Sequence, residues 1–141
     1  MYDPALHFRF PACLEHIDPA VGRVQEWMRK QGLEGHLFRF TLLIREALNN
    51  AVVHGAKCDP AREVSFSVAR RGEEIILSIN DSGPGFDPER FREYPEKART
   101  CPERGWGVSL MLKYASSFSY DQKRGTTDLV YALKEGADGE E

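Results

Sequence analysis

Glu46-Ala47-Leu48-Asn49-Asn50-Ala51-Val52-Val53-His54-Gly55 is the stretch on which the reading of this chain turns. It closes a predicted helix over residues 36–54, in which Leu37, Phe40, Ile44, Ala47, Leu48 and Ala51 form one apolar stripe. Phe38, Leu42, Leu43, Val52 and Val53 lie off that stripe, so the helix is expected to be buried on most sides. Its polar members then need a reason. Glu46 and Asn50 are one helical turn apart and share a face, opposite the stripe, with Asn49 close by. Two readings are open at this point. One is a solvated helix face, where charged side chains usually sit. The other is a metal and water site. An Asn carbonyl is a hard oxygen ligand suited to Mg²⁺, which relies on water and substrate phosphates for its remaining ligands. A nearby Glu can orient or deprotonate an attacking hydroxyl.

Toward the C-terminus, Val64, Phe66 and Val68 alternate with Ser65, Ser67 and Ala69, and Ile75, Leu77 and Ile79 alternate in a partner strand. Arg70-Arg71-Gly72-Glu73 is the predicted hairpin turn between them. Asp81 continues the period of two, so its carboxylate is expected on the apolar face. An ionised group there needs a donor. It is either an ordinary cap of the following turn or an acceptor for an adenine amino group. Gly83-Pro84-Gly85 then bends the chain, and glycine there would also permit close ligand approach. Residues 88–104 are charged, carry Pro95 and Pro102, and read as a short helix and a lid-like loop. Gly105-Trp106-Gly107 opens a helix with Val108, Met111, Leu112 and Ala115, and free N–H groups at a helix start suit an anion. Lys97, Arg99 and Arg104 lie within reach of phosphates there, or form a solvated charge run. Residues 118–123 and 127–133 make a last hairpin around Arg124-Gly125-Thr126. Thr127 is either a strand-favouring turn residue or a donor near the Asp81 network. His54 reads as a helix C-terminal cap.

Toward the N-terminus, residues 6–10 form an extended segment ended by Pro11. Asp18-Pro19 reads as a helix start, with Asp at the cap, and Val21, Val24, Trp27 and Met28 recur behind it until Gly32 and Gly35. Helices and antiparallel hairpins in this order predict an α+β fold: a two-layer sandwich, its sheet mixed but mostly antiparallel, with helices packed on one face. Residues 1–134 are expected to form a single domain and residues 135–141 an acidic, frayed tail.

The bulk numbers narrow the function. The 141 residues fit one core, and 41% hydrophobic and 29% charged residues are ordinary for a globular chain. A net charge of −3 gives no general field for nucleic acid or an anionic membrane. No stretch approaches a membrane span, and residues 1–14 hold no apolar run for a signal peptide. Cys13, Cys58 and Cys101 make no Cys-x-x-Cys pair and are expected as free thiols in a reducing cytoplasm.

Together the motifs resemble the GHKL ATPase superfamily, which includes sensor histidine kinases, type II topoisomerases, mismatch-repair ATPases and heat-shock chaperones. The quoted stretch around Glu46 and Asn50 is similar to its first box. Asp81-Ser82-Gly83-Pro84-Gly85-Phe86 looks like the second, Gly105-Trp106-Gly107-Val108-Ser109-Leu110 like the third, and Gly125-Thr126-Thr127 like the last. The resemblance spans about residues 7–134 and is nearest to the bacterial anti-sigma-factor serine kinases. It implies a Bergerat-type ATP-binding fold and ATP and Mg²⁺ as cofactors. Asn50 would be the Mg²⁺ ligand, Asp81 the adenine reader and Glu46 the general base. Gly83, Gly85, Gly105 and Gly107 would line the nucleotide, flanked by Arg104 and Trp106, with Thr127 at the adenine edge. Asn49, the bulky Trp106, the short glycine run and the two lid prolines depart from the family pattern. The implied partners are an anti-sigma-factor antagonist with a phosphorylatable Ser or Thr and a sigma factor or similar regulator. The branch commonly forms dimers. Two other functions stay open: a non-catalytic ATP- or ADP-dependent binding module, and the detached catalytic domain of a sensor histidine kinase.

Overall fold

A computed structural model of the chain describes residues 6–81, 114–121 and 123–133. Strand β1 (Leu6–Pro11) leads through a 3₁₀ turn (Leu14–His16) into helix α1 (Ile17–Lys30). A second 3₁₀ turn (Glu34–His36) precedes helix α2 (Leu37–Asn50), which runs on into a π-helical turn (Ala51–Gly55). Then come β2 (Glu63–Arg71), β3 (Glu74–Asn80), β4 (Ser117–Asp121) and β5 (Thr126–Ala132). The sheet order is β1-β2-β3-β5-β4, and every pairing among the described strands is antiparallel.

The two-layer sandwich follows from parity. Val64, Phe66, Val68, Ile75, Leu77, Ile79, Leu129 and Tyr131 alternate inward and are buried. Against them lie the buried faces of α1 (Ile17, Ala20, Val21, Val24, Met28) and α2 (Phe40, Leu43, Ile44, Ala47, Leu48). Toward the end of the sheet nearer Asp81 the outward residues of these strands are polar, whereas Ala69, Ile76 and Val130 form an apolar outward row further along. Register sets His7, Ser67, Ser78, Asp128 and Ser119 in one row across all five strands, and Arg9, Ser65, Asn80, Thr126 and Asp121 in the next.

Glycine turns end the elements as the sequence suggests. Gly32 has φ +73, and its N–H reaches Arg29 O at 3.0 Å while Leu33 N–H reaches Met28 O at 2.9 Å. That bond pair is a left-handed C-terminal cap, which only glycine makes without steric cost. The β2–β3 turn is tighter than expected: Arg70 and Arg71 belong to β2, and Gly72-Glu73 alone turns the chain, with Gly72 at φ +62.

Three expectations are corrected. Asp18 does not cap α1, which starts at Ile17 behind His16. Asp18 instead pairs with Arg45 of α2, so a tertiary ion pair takes the side chain that capping would use. Residues 36–54 are not one α-helix, because the last turn widens to π geometry. The helix face carrying Asn50 is not turned away from the core. Asn50 is fully buried, while Phe38, expected inside, is 65% exposed.

Candidate functional site

The end of α2 and the adjoining end of the sheet hold the buried polar side chains of the described residues: Asn50 (0% exposed), Asp81 (2%) and Thr127 (5%). Each arrives by a different local rule. Asn50 is the last residue of α2, one turn beyond half-buried Glu46. Asp81 follows β3 on the inward parity of Ile75, Leu77 and Ile79. Thr127 lies opposite Ile79 in the β3–β5 register, so it faces the same inner layer one step from Asp81.

Backbone and side-chain bonds lock the sheet end. Asp81 N–H donates to Gly125 O at 2.9 Å, and Gly125 turns the β4–β5 hairpin at φ +64. Asn80, on the outward face, donates its amide to Arg124 O (2.8 Å) and Thr126 Oγ1 (3.1 Å). Asn80 and Asp81 are therefore both tied to the last hairpin turn. Sequence reasoning missed Asn80; its signal was an amide at the outward position immediately before a site carboxylate. Gly55 was also missed as a site residue. A Cβ placed there would run into the Asp81 carboxylate.

The helix end is shaped by the π turn. Ala56 N–H reaches Ala51 O at 2.8 Å, one residue further than α geometry, and Cys58 N–H reaches Val52 O at 2.8 Å. Such turns concentrate at functional sites. The following Lys57 (φ 57) and Cys58 (φ 56) are both left-handed without being glycine. Each costs on the order of 1–2 kcal/mol relative to ordinary backbone. Backbone N–H groups close this helix end, and His54 is half-buried in its last turn.

Asn50 and Glu46 on α2 carry buried polar atoms left open among the described residues. Neither Asn50 Oδ1 nor Asn50 Nδ2 has a hydrogen-bond partner among the described residues, and the same holds for Glu46 Oε2. A buried amide without partners costs about 1–3 kcal/mol per orphaned group. Burial also raises the Glu46 carboxyl above its ordinary value of 4.5, against the lowering effect of neighbouring Arg45. An unpartnered amide carbonyl and a half-desolvated carboxylate one helical turn apart have the chemistry to suit a hard cation carrying water and phosphate oxygens. No cluster of three or more His, Cys, Asp or Glu among the described residues would hold a metal by itself. A cation at Asn50 would therefore need ligands from its substrate, which is the habit of Mg²⁺. The expected nucleotide-lining residues Gly83, Gly85, Arg104, Gly105, Trp106 and Gly107, and the lid at residues 91–104, lie outside the described residues. Cys13 and Cys58 are unpaired thiols, and no described helix is long and apolar enough to cross a membrane.

The chain is similar to known proteins in sequence and in fold. The sequence profile of the histidine kinase-like ATPase domain matches residues 10–132. An anti-sigma F factor of Clostridium perfringens is 29% identical over 94 residues, which cover 64% of this chain and 67% of that protein. The anti-sigma F factor of Anoxybacillus flavithermus is 30% identical over 93 residues, covering 60% of this chain and 61% of that protein. The sensor protein VraS of Staphylococcus saprophyticus is 27% identical over 93 residues, 66% of this chain but only 25% of that protein. In three dimensions the chain is similar to the crystal structure of the RsbU and RsbW domains of Rv1364c from Mycobacterium tuberculosis. The TM-score is 0.63 at 18% identity, covering 92% of this chain and 32% of that one, a likeness of fold.

Proposed function

This chain belongs to the histidine kinase-like ATPase domain family, and on that premise we propose that it is an ATP-dependent serine/threonine-protein kinase of the partner-switching kind. In this reading residues 1–134 are one ATP-binding domain that works in the cytoplasm. Its protein substrate is an anti-sigma-factor antagonist, and it also binds a sigma factor or a similar regulator. The observation that carries the proposal is the orphaned amide of Asn50, buried one helical turn from a desolvated carboxylate. A passive nucleotide binder needs the first group but has no use for the second.

The roles follow from chemistry. Asp81 accepts the adenine amino group, with Thr127 beside it at the base edge. Asn50 Oδ1 holds Mg²⁺, which when bound neutralises phosphate charge. Glu46 takes the proton of the acceptor hydroxyl as that oxygen bonds to the γ-phosphorus. The bond from the γ-phosphorus to the bridging oxygen breaks, and ADP leaves. Burial keeps the Glu46 carboxyl basic enough to accept that proton, the usual tuning of a general base. Positioning and electrostatics supply the rest of the acceleration.

Similarity to the anti-sigma F factors favours this partner class. Similarity to VraS favours a second reading, a histidine-kinase catalytic domain that phosphorylates a histidine. The test is to isolate the native partner by pull-down, incubate it with labelled ATP and Mg²⁺, and map the modified residue. Acid-stable phosphoserine or phosphothreonine is the expected product. Acid-labile phosphohistidine would replace this reading with the second, and a partner that stays unlabelled would leave a binding module.

A further inference from the structure

Gly55 is a glycine without a backbone reason. The left-handed glycines of the described residues are Gly32, Gly72 and Gly125; Gly55 is not among them. It sits instead inside the π-helical turn, where alanine would favour the helix and glycine weakens it. The reason lies across the site. A Cβ on Gly55 would fall within 2.6 Å of Asp81 Cβ and would overlap the Asp81 carboxylate still more closely. Real Cβ atoms do not approach so near. The wide turn closed by Ala56 N–H and Ala51 O brings this bare Cα against the carboxylate.

Asp81 has little freedom to retreat. Its N–H is bonded to Gly125 O at 2.9 Å, and Asn80 before it is tied to Arg124 and Thr126. The Asp81 backbone is therefore tied to the hairpin turn while its side chain lies against the Cα of a helix end. We propose that Gly55 is the positioning residue for Asp81, and that its missing side chain sets where the carboxylate meets the nucleobase. One helix end thereby supplies Asn50 on one turn and the seat of Asp81 on the next. The proposal rests on the reading of Asp81 as the adenine acceptor.

The test is a pair of variants, Gly55→Ala and Asp81→Gly, alone and together. Mg-ATP and Mg-GTP binding would be followed by calorimetry, and thermal unfolding of the ligand-free proteins by circular dichroism. Gly55→Ala alone should lower ATP affinity by about tenfold or more, the scale of a misplaced charge-assisted hydrogen bond. It should also narrow the preference for ATP over GTP and lower the melting temperature. A merely structural role would not move base preference. In the Asp81→Gly background the obstacle is gone. There the added Gly55→Ala change should leave ATP affinity alone and raise the melting temperature, because alanine is the better helix former. If Gly55→Ala alone does not fold, recovery of folding in the double variant supports the proposal and its absence overturns it. Gly55→Ala binding both nucleotides as wild type does, or a loss of equal size in both backgrounds, also overturns it. Wild-type ATP binding by Asp81→Gly would refute the adenine reading instead. The sign of the melting shift would then still decide whether Gly55 seats the carboxylate.

Discussion

Strand β5 carries a buried polar side chain near each end, and the two ends of the core treat polarity differently. At one end Tyr131, 3% exposed, has its hydroxyl 3.0 Å from His36 Nδ1 and its ring edge-on to Phe40. The protein satisfies that group from its own helix. At the other end Thr127 and Asp81 lie on the inner face, and the Asn50 amide at the end of α2 meets no partner among the described residues. The same sheet face thus has a satisfied polar pair at one end and, at the other, an Asn50 left open among the described residues. A closed cluster stabilises the fold. An open one lowers stability until something from outside supplies the missing bonds, as binding sites commonly do.

The contrast is broken most sharply at Glu46. Glu46→Ala should fold and bind ATP, yet phosphotransfer to the native partner should fall by about 10²–10⁴-fold, the reach of a positioned base. Label transfer measures this, and full activity in the variant would remove Glu46 from that role. Asp81→Ala comes next. It should lower ATP affinity by about 10–100-fold, since adenine loses a charged acceptor, and calorimetry returning the wild-type constant would end the adenine assignment.

Asn50→Leu sharpens the comparison because its two effects have opposite signs. Mg²⁺-dependent ATP binding should be lost, while the ligand-free protein should gain about 1–3 kcal/mol as an orphaned amide gives way to an apolar side chain of similar size. Denaturant unfolding without nucleotide measures that gain, and a loss there would mean that Asn50 is satisfied within the protein. Tyr131→Phe is the control at the closed end. It should cost about 0.5–1.5 kcal/mol of stability and leave ATP affinity unchanged.

The smallest effect is one of pH. The folded protein holds the Glu46 proton to higher pH than the unfolded chain does, because burial raises that carboxyl above 4.5. Stability contributed at this position therefore falls as pH rises through the folded value. Glu46→Gln should raise the melting temperature near about pH 7 and lose that advantage in acid. Phosphotransfer by the wild type should rise with pH over the same range, since the base works only when ionised. A melting difference independent of pH would contradict the desolvation of Glu46.

Much of this was legible in the sequence because it follows from period. Strict alternation in β2 and β3 fixed the inner face, and extending it by one step put Asp81 inside. Helical spacing set Glu46 and Asn50 one turn apart. Other features depend on distant parts of the chain. Angular arithmetic turned Asn50 away from the apolar stripe, but α2 packs against both α1 and the sheet, so its buried arc is wider than its stripe. The π turn inserts one residue into a pattern that stays apolar throughout, and nothing in Ala51-Val52-Val53-His54-Gly55 marks it. Asp18 looked like a cap because its competitor, Arg45, lies on another helix. Gly55 fell just past the predicted helix with no role of its own, and only the approach of Asp81 gives it a purpose.

The clamp between Asn80 and the last hairpin turn has a consequence for synthesis. It joins positions 44 and 46 residues apart, whereas Glu46 and Asn50 meet within a single turn. Long-range strand pairing forms late, since the loop must close before any contact rewards it. A chain growing from the ribosome would assemble the half of the site on α2 early. It would gain a seated Asp81 only after residue 126 had emerged and β5 had joined β3. Until then Asp81 has no fixed place.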